Sequence, residues 1–138
     1  MRIEHVNVTV TDIEEATRFL TLVYPESKIR GEGPRQQGGS WRHLGSDSAY
    51  IALQQEAEPH RSNRVAYTDL GINHLGFVVD DIKAVVTRLT QAGYQSNEMG
   101  VEEVGRTSVY FYDNSGVEWE FVQYHSDDVE VKNNYGGK

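Results

Sequence analysis

The feature that most constrains this chain is that it repeats itself. Residues 3–13 (IEHVNVTVTDI) and 72–82 (INHLGFVVDDI) share five of eleven positions: Ile3/Ile72, His5/His74, Val10/Val79, Asp12/Asp81 and Ile13/Ile82. Chance can match two short apolar strands, but it rarely also matches a histidine and a strand-to-helix junction. Each repeat opens with a period-2 run. Val6, Val8 and Val10 share one strand face, with His5, Asn7 and Thr9 on the other. Leu75, Phe77 and Val79 likewise oppose Ile72, His74 and Gly76. Helical spacing follows in both halves, with Asp12 and Asp81 as N-caps. The apolar stripes are Ile13, Ala16, Phe19 and Val23, then Ile82, Val85, Leu89 and Ala92. Gly93 supplies a stop signal.

Three shorter strands are expected after each helix. In the first half they are 27–31, 40–44 and 49–55; in the second, 95–102, 107–112 and 117–124. The turns Gly45-Ser-Asp-Ser48 and Asp113-Asn-Ser-Gly116 stand in matching places. The Gly-rich stretch 31–39 reads as a mobile loop. The expectation is an α+β protein of two tandem βαβββ modules forming one domain over 1–138. Module 1–55 is joined by linker 56–70 to module 71–125, with a polar tail 126–138.

Strand parity then places chemistry. The valine-rich faces must meet the helices, so His5, Asn7 and His74 point to the opposite face. On the last strand Trp119 and Phe121 belong to the helix side, which leaves Glu118, Glu120 and Tyr124 with the histidines. Matching the two halves through their turns pairs Glu120 with Ala52, so the first half offers no carboxylate there. Gln54 shares Ala52's face. Any one of these residues alone reads more simply as a solvated or hydrogen-bonded polar group. Together, by symmetry and shared face, His5, His74 and Glu120 suit one divalent transition metal (Zn, Mn, Fe, Co or Ni), with open positions for substrate. Glu118 and Glu56 are the candidate catalytic bases, although the ordinary place of a glutamate is the surface. Asn7, Gln54, Tyr50, Tyr110 and Tyr112 are candidate substrate-binding residues. Arg30, Arg35 and Arg42 are placed to meet an anionic group; His43, His60 and His125 receive no role.

Composition limits the alternatives. The 138 residues contain no cysteine, which excludes disulfides, thiolate metal sites and cysteine nucleophiles. A net charge of -8 argues against nucleic acid. No apolar run approaches the roughly 20 residues of a membrane span, and Met1 leads directly into a strand pattern without the regions of a secretory signal. A cytoplasmic protein that binds a small molecule, and neither nucleic acid nor membrane, is expected.

The motifs EHVNV, NHLGF and DNSGVEWEF resemble those of the vicinal-oxygen-chelate superfamily (glyoxalases, bleomycin-resistance proteins, extradiol dioxygenases). The likeness runs from Ile3 to about Tyr124. It implies curved mixed sheets around a metal-binding cup, with His5, His74 and Glu120 as ligands. It also implies a homodimer whose sites draw on both chains. Three features depart from parts of the family: Asn114 replaces a usual proline, Ala52 occupies the slot of a fourth ligand, and Thr9 stands where lactoylglutathione lyases tend to carry arginine. The implied activity is that of a metal-dependent lyase or isomerase on a substrate chelated through vicinal oxygens. The alternatives are an Fe(II) extradiol-type dioxygenase and a metal-free drug-binding resistance protein.

Overall fold

The structure, a computed structural model, describes residues 2–135. Met1 and residues 136–138 of the expected first module and tail lie outside the described residues. The chain forms two compact units, Met1–Arg64 and Val65–Lys138, and the boundary falls inside the expected linker. Both are α+β with a mixed four-stranded sheet, as the repeat predicts. Among the described residues no helix is long and apolar enough to cross a membrane.

The first unit contains β1 (His5–Val10), α1 (Ile13–Val23), β2 (Lys28–Pro34), β3 (Ser40–Gly45) and β4 (Tyr50–Gln55). Its sheet order is β1-β4-β3-β2, with β1 parallel to β4 and the other pairs antiparallel. The second unit repeats this with β5 (Leu75–Val78), α2 (Ile82–Gln91), β6 (Ser96–Glu102), β7 (Arg106–Tyr112) and β8 (Glu118–Tyr124), in the order β5-β8-β7-β6.

Each helix starts where an aspartate satisfies orphan backbone donors. Asp12 Oδ1 accepts from the Glu14 and Glu15 amides at 2.9 and 3.1 Å, and Asp81 Oδ1 from Ala84 at 2.9 Å. A second lock comes from the last strand of each unit. The Ile13 amide donates to Gln55 Oε1 at 2.8 Å, and the Ile82 amide to Gln123 Oε1 at 3.0 Å. That shared contact makes Gln55 equivalent to Gln123, and therefore Ala52 equivalent to Glu120.

Period-2 and period-3.6 patterns meet in each core. Phe19, Leu20 and Val23 of α1 are buried with Val10, Leu44 and Leu53; Val85 and Leu89 of α2 are buried with Phe111, Trp119 and Phe121. Three expectations change. Half of the predicted mobile loop is strand β2, because the Trp41 indole lies against Gly31 and Gly33, where a Cβ at Gly33 would come within 3.1 Å of it. The polar tail carries a short helix, α3 (Val129–Lys132), capped by Asp128. Gly105 admits it, since a Cβ there would stand 2.3 Å from the Val131 carbonyl oxygen. Ala92 caps α2 rather than belonging to it.

Arg42 corrects the chemistry read from the sequence. Its parity turns it to the helix side, away from any ligand, and it is 8% exposed. It donates to Glu14 Oε1 and Oε2 at 2.6 and 2.9 Å, to Glu32 at 2.7 Å and to Thr17 Oγ1 at 2.9 Å. Its hydrogen bond holds the Glu14 carboxyl below its ordinary 4.5. A depressed carboxylate contributes stability fully above the unfolded value and loses it as pH falls through the lower folded value. Urea melts should therefore show wild type ahead of Arg42→Met at pH 7, with the gap narrowing once pH drops below 4.5. A gap independent of pH would show that Arg42 acts only by packing.

Candidate metal centre

In the second unit the site is built on β5, β7 and β8. His74 immediately precedes β5, and Glu120 lies on β8 opposite Gly76. A Cβ at Gly76 would sit 3.4 Å from Glu120 Oε2, so glycine leaves the carboxylate open on that side. His74 Nε2 faces Glu120 Oε2 at 3.2 Å. Tyr110, paired with Glu120 across β7 and β8, meets the His74 ring edge-on at 5.3 Å between centroids. Burial, and after it the hydrogen bond to Glu120, pushes the Tyr110 hydroxyl up to about 12. It therefore stays a donor at neutral pH.

Behind the histidine stands a group the sequence reading assigned to the linker. The Tyr67 hydroxyl donates to Glu118 Oε2 and lies 3.0 Å from His74 Nδ1. Because the hydroxyl's single proton goes to Glu118, Nδ1 must be the donor in the contact with His74. In the neutral ring Nε2 then carries the lone pair, turned to Glu120. Two acceptors facing each other at 3.2 Å need a shared proton or a cation between them. Burial, and then the bond to Glu118, raises the Tyr67 phenol well above its ordinary range.

Glu118 is a correction to the surface expectation. It is 4% exposed and accepts from Tyr67 and from Asn97 Nδ2. Tyr112, opposite it on β7, also hydrogen-bonds to it, which raises the Tyr112 phenol. Strand parity had correctly put Glu118 on Glu120's face; what sequence could not supply was the three neutral donors that make its burial tolerable.

The first unit orients its own histidine. His5 Nδ1 lies 2.6 Å from Glu4 Oε2, and the ring stacks on Tyr50 at 4.8 Å and 17°. Tyr50 also meets His43, which in turn meets Trp41, and the Arg30 guanidinium lies 4.3 Å over the Tyr50 ring. Asn7 is exposed on the same face, opposite Ala52. Gln54 Nε2 donates to Glu56 Oε1 at 2.7 Å, and Arg35 pairs with that same oxygen at 3.1 Å. Glu56 thus sits in a local ion pair, and Arg35 is engaged by it. The aromatic row through His43 escaped the sequence reading because the parity of β3 depended on an uncertain strand start.

Among the described residues no group of three or more His, Asp or Glu side chains already stands ready to hold a metal. The second unit assembles the pair His74–Glu120, and the first presents His5. The donor chemistry nevertheless fits a divalent transition ion. Both imidazoles have Nδ1 engaged, to Glu4 directly and to Glu118 through Tyr67. Outer contacts of this kind are what orient metal-binding imidazoles through Nε2.

A duplicated βαβββ unit with a histidine heading the first strand of each copy defines a paired-module protein of the glyoxalase type. The chain belongs to the Glyoxalase/Bleomycin resistance protein/Dioxygenase superfamily, whose family model matches residues 2–121. Among solved structures it is similar to a glyoxylase/bleomycin resistance protein/dioxygenase domain from Frankia sp. EAN1pec. That match has 20% identity and a TM-score of 0.75, and covers 93% of this chain and 95% of the other. It is also similar to the fosfomycin resistance protein FosX from Mesorhizobium loti, at 19% identity and TM-score 0.69 over 94% of each chain. FosX from Listeria monocytogenes, complexed with Mn(II) and sulfate, matches at 14% identity and TM-score 0.66, covering 96% of this chain and 98% of that one. At these identities the likeness is one of fold. No curated protein matches the chain.

Proposed function

We propose that this protein is a metal-dependent enzyme of glyoxalase type, a lyase or isomerase acting on a small substrate that chelates a divalent ion through adjacent oxygens. The observation that carries the reading is the orientation of the two imidazoles, each tied at Nδ1 so that Nε2 is left for a ligand, with His74 Nε2 facing Glu120. His5, His74 and Glu120 would hold the ion. His5 could come from the same chain or from a second copy in a homodimer. When bound, such an ion supplies Lewis acidity toward developing negative charge on substrate oxygen.

The chain's own residues have separate tasks. Tyr110 keeps its proton and can donate a hydrogen bond to a substrate oxygen beside Glu120. Glu118 and Glu56 are the proposed proton acceptors. Glu118 is preferred because it shares a strand face with Glu120, whereas Glu56 is tied to Arg35. Glu118 accepts from three donors and, with about four lone-pair sites on a carboxylate, keeps room for a proton. Asn7, Gln54, Tyr50 and Tyr112 would line the substrate's approach. A chain without cysteine suits a reducing cytoplasm.

The test is metal loading of the chelator-stripped protein with Mn(II), Fe(II), Co(II), Ni(II) and Zn(II), followed by calorimetry and light scattering. Mn(II) comes first because a FosX neighbour was crystallised with it. The expected result is one ion per chain in a dimer, with turnover of a substrate with adjacent oxygens, such as the hemithioacetal of an α-ketoaldehyde or an α-hydroxyketone. Oxygen uptake with catechols by the Fe(II) form would move the reading to the dioxygenase. No binding of any of the five ions would overturn the enzyme reading.

A further inference from the structure

We propose that Tyr67 is a positioning residue for this centre: its hydroxyl links Glu118 to His74 and holds His74 in the Nδ1-protonated tautomer, with Nε2 turned to Glu120. Its consequence for metal binding rests on the reading above, but the tautomer is a property of the metal-free chain.

The two copies of the repeat explain why such a residue is needed. In the first unit the residue before the histidine is Glu4, and its carboxylate contacts His5 Nδ1 directly at 2.6 Å. The equivalent residue in the second unit is Asn73, which has no carboxylate to offer. Asn73 Oδ1 instead accepts the Tyr67 backbone amide at 2.8 Å. The negative group behind His74 is Glu118, which reaches it through the Tyr67 hydroxyl. One direct contact in the first unit thus becomes a two-step contact in the second.

The backbone around Tyr67 is arranged for that purpose. Tyr67 is the one residue other than glycine with positive φ among the described residues, at +63°. L side chains visit this region rarely, and isolated cases concentrate where the surroundings impose them for function. Here the surroundings are identifiable: the Asn73 contact, and a turn in which the Val65 amide donates to Asp69 Oδ2 at 2.7 Å while the Asp69 amide returns to the Val65 carbonyl at 2.9 Å. Tyr67 is 48% exposed, so core packing does not account for its conformation.

The experiment is a long-range 15N–1H correlation spectrum of the His74 ring in the metal-free full chain, recorded for wild type and Tyr67→Phe, with a parallel Mn(II) or Zn(II) titration. Wild type should show Nδ1 protonated, whatever proton Nε2 shares with Glu120, so the effect of Tyr67 is read at Nδ1. Tyr67→Phe should show the Nε2-protonated form or a mixture. Its metal affinity should fall by about 10–100-fold, the usual cost of losing an outer contact. Adding Asn73→Glu to Tyr67→Phe, which restores the first unit's arrangement, should bring the Nδ1-protonated form back. An unchanged tautomer in Tyr67→Phe overturns the proposal. A tautomer change in Tyr67→Phe, with a wild type that binds none of the metals, upholds the role of Tyr67 and overturns the metal reading.

Discussion

Glu120→Gln is expected to weaken binding of Mn(II) or Zn(II) by more than the roughly 100-fold that marks the loss of an outer contact, with little change in the melting temperature of the metal-free protein. The substitution keeps the shape of the side chain and an oxygen to accept from Tyr110, but it removes the charge. In the present arrangement Glu120 Oε2 faces His74 Nε2 at 3.2 Å, and only an anionic oxygen there is a good ligand for a hard or borderline divalent ion. Isothermal titration of the stripped variant checks this. Affinity within a few-fold of wild type would remove Glu120 from the ligand set. Glu118→Gln is the informative comparison, because Glu118 touches the same region only through Tyr67, Asn97 and Tyr112.

Asp113→Ala should produce the largest loss of folding stability, about 3 kcal/mol or more if each of several buried donors left unpaired costs about 1–3 kcal/mol. Asp113 follows β7 and organises the turn to β8. Its Oδ1 accepts from the Ser115 and Val117 amides at 2.8 and 2.9 Å, and its Oδ2 from the Trp119 indole at 3.1 Å. Trp119 is fully buried beneath the sheet face that carries Glu118 and Glu120, so a shift of the indole disturbs the register of the site strand. Urea denaturation measures the effect, and a loss below 1 kcal/mol would show that water replaces the carboxylate.

The pH dependence of Asp113 runs opposite to that of Glu14. Burial raises its carboxyl above the ordinary 3.8, and the hydrogen bonds only partly offset this. A proton bound more tightly in the folded state favours folding most at low pH, and that contribution declines as pH rises through 3.8 toward the raised native value. The lead of wild type over Asp113→Ala should therefore be widest at the acid end. Arg42→Met should show its smallest gap there.

Much of the candidate centre was legible because strand periodicity is a local property. Alternation along β1 and β8 is enough to place His5 with Asn7 and Glu118 with Glu120. The repeated His5/His74 and Asp12/Asp81 are enough to assign both strands and both helix starts. The absence of a carboxylate at Ala52 could be read the same way, and the matching contacts of Gln55 and Gln123 now support it from three dimensions. Tyr67 could not be found so. It lies in a stretch without periodicity, and its role depends on a positive φ and on two partners, His74 and Glu118, at sequence separations of 7 and 51.

The amino-acid pattern by itself determined the duplicated βαβββ architecture, the starts of the two long helices and the face on which the histidines and carboxylates stand, since each follows from backbone geometry over a few residues. Only the tertiary structure decided that Glu118 is buried, that Arg42 serves the helix side and that Tyr67 closes the contact behind His74. These depend on which donors and acceptors distant segments bring together, and a buried charge or a chosen tautomer is settled by its partners rather than by its neighbours in the chain.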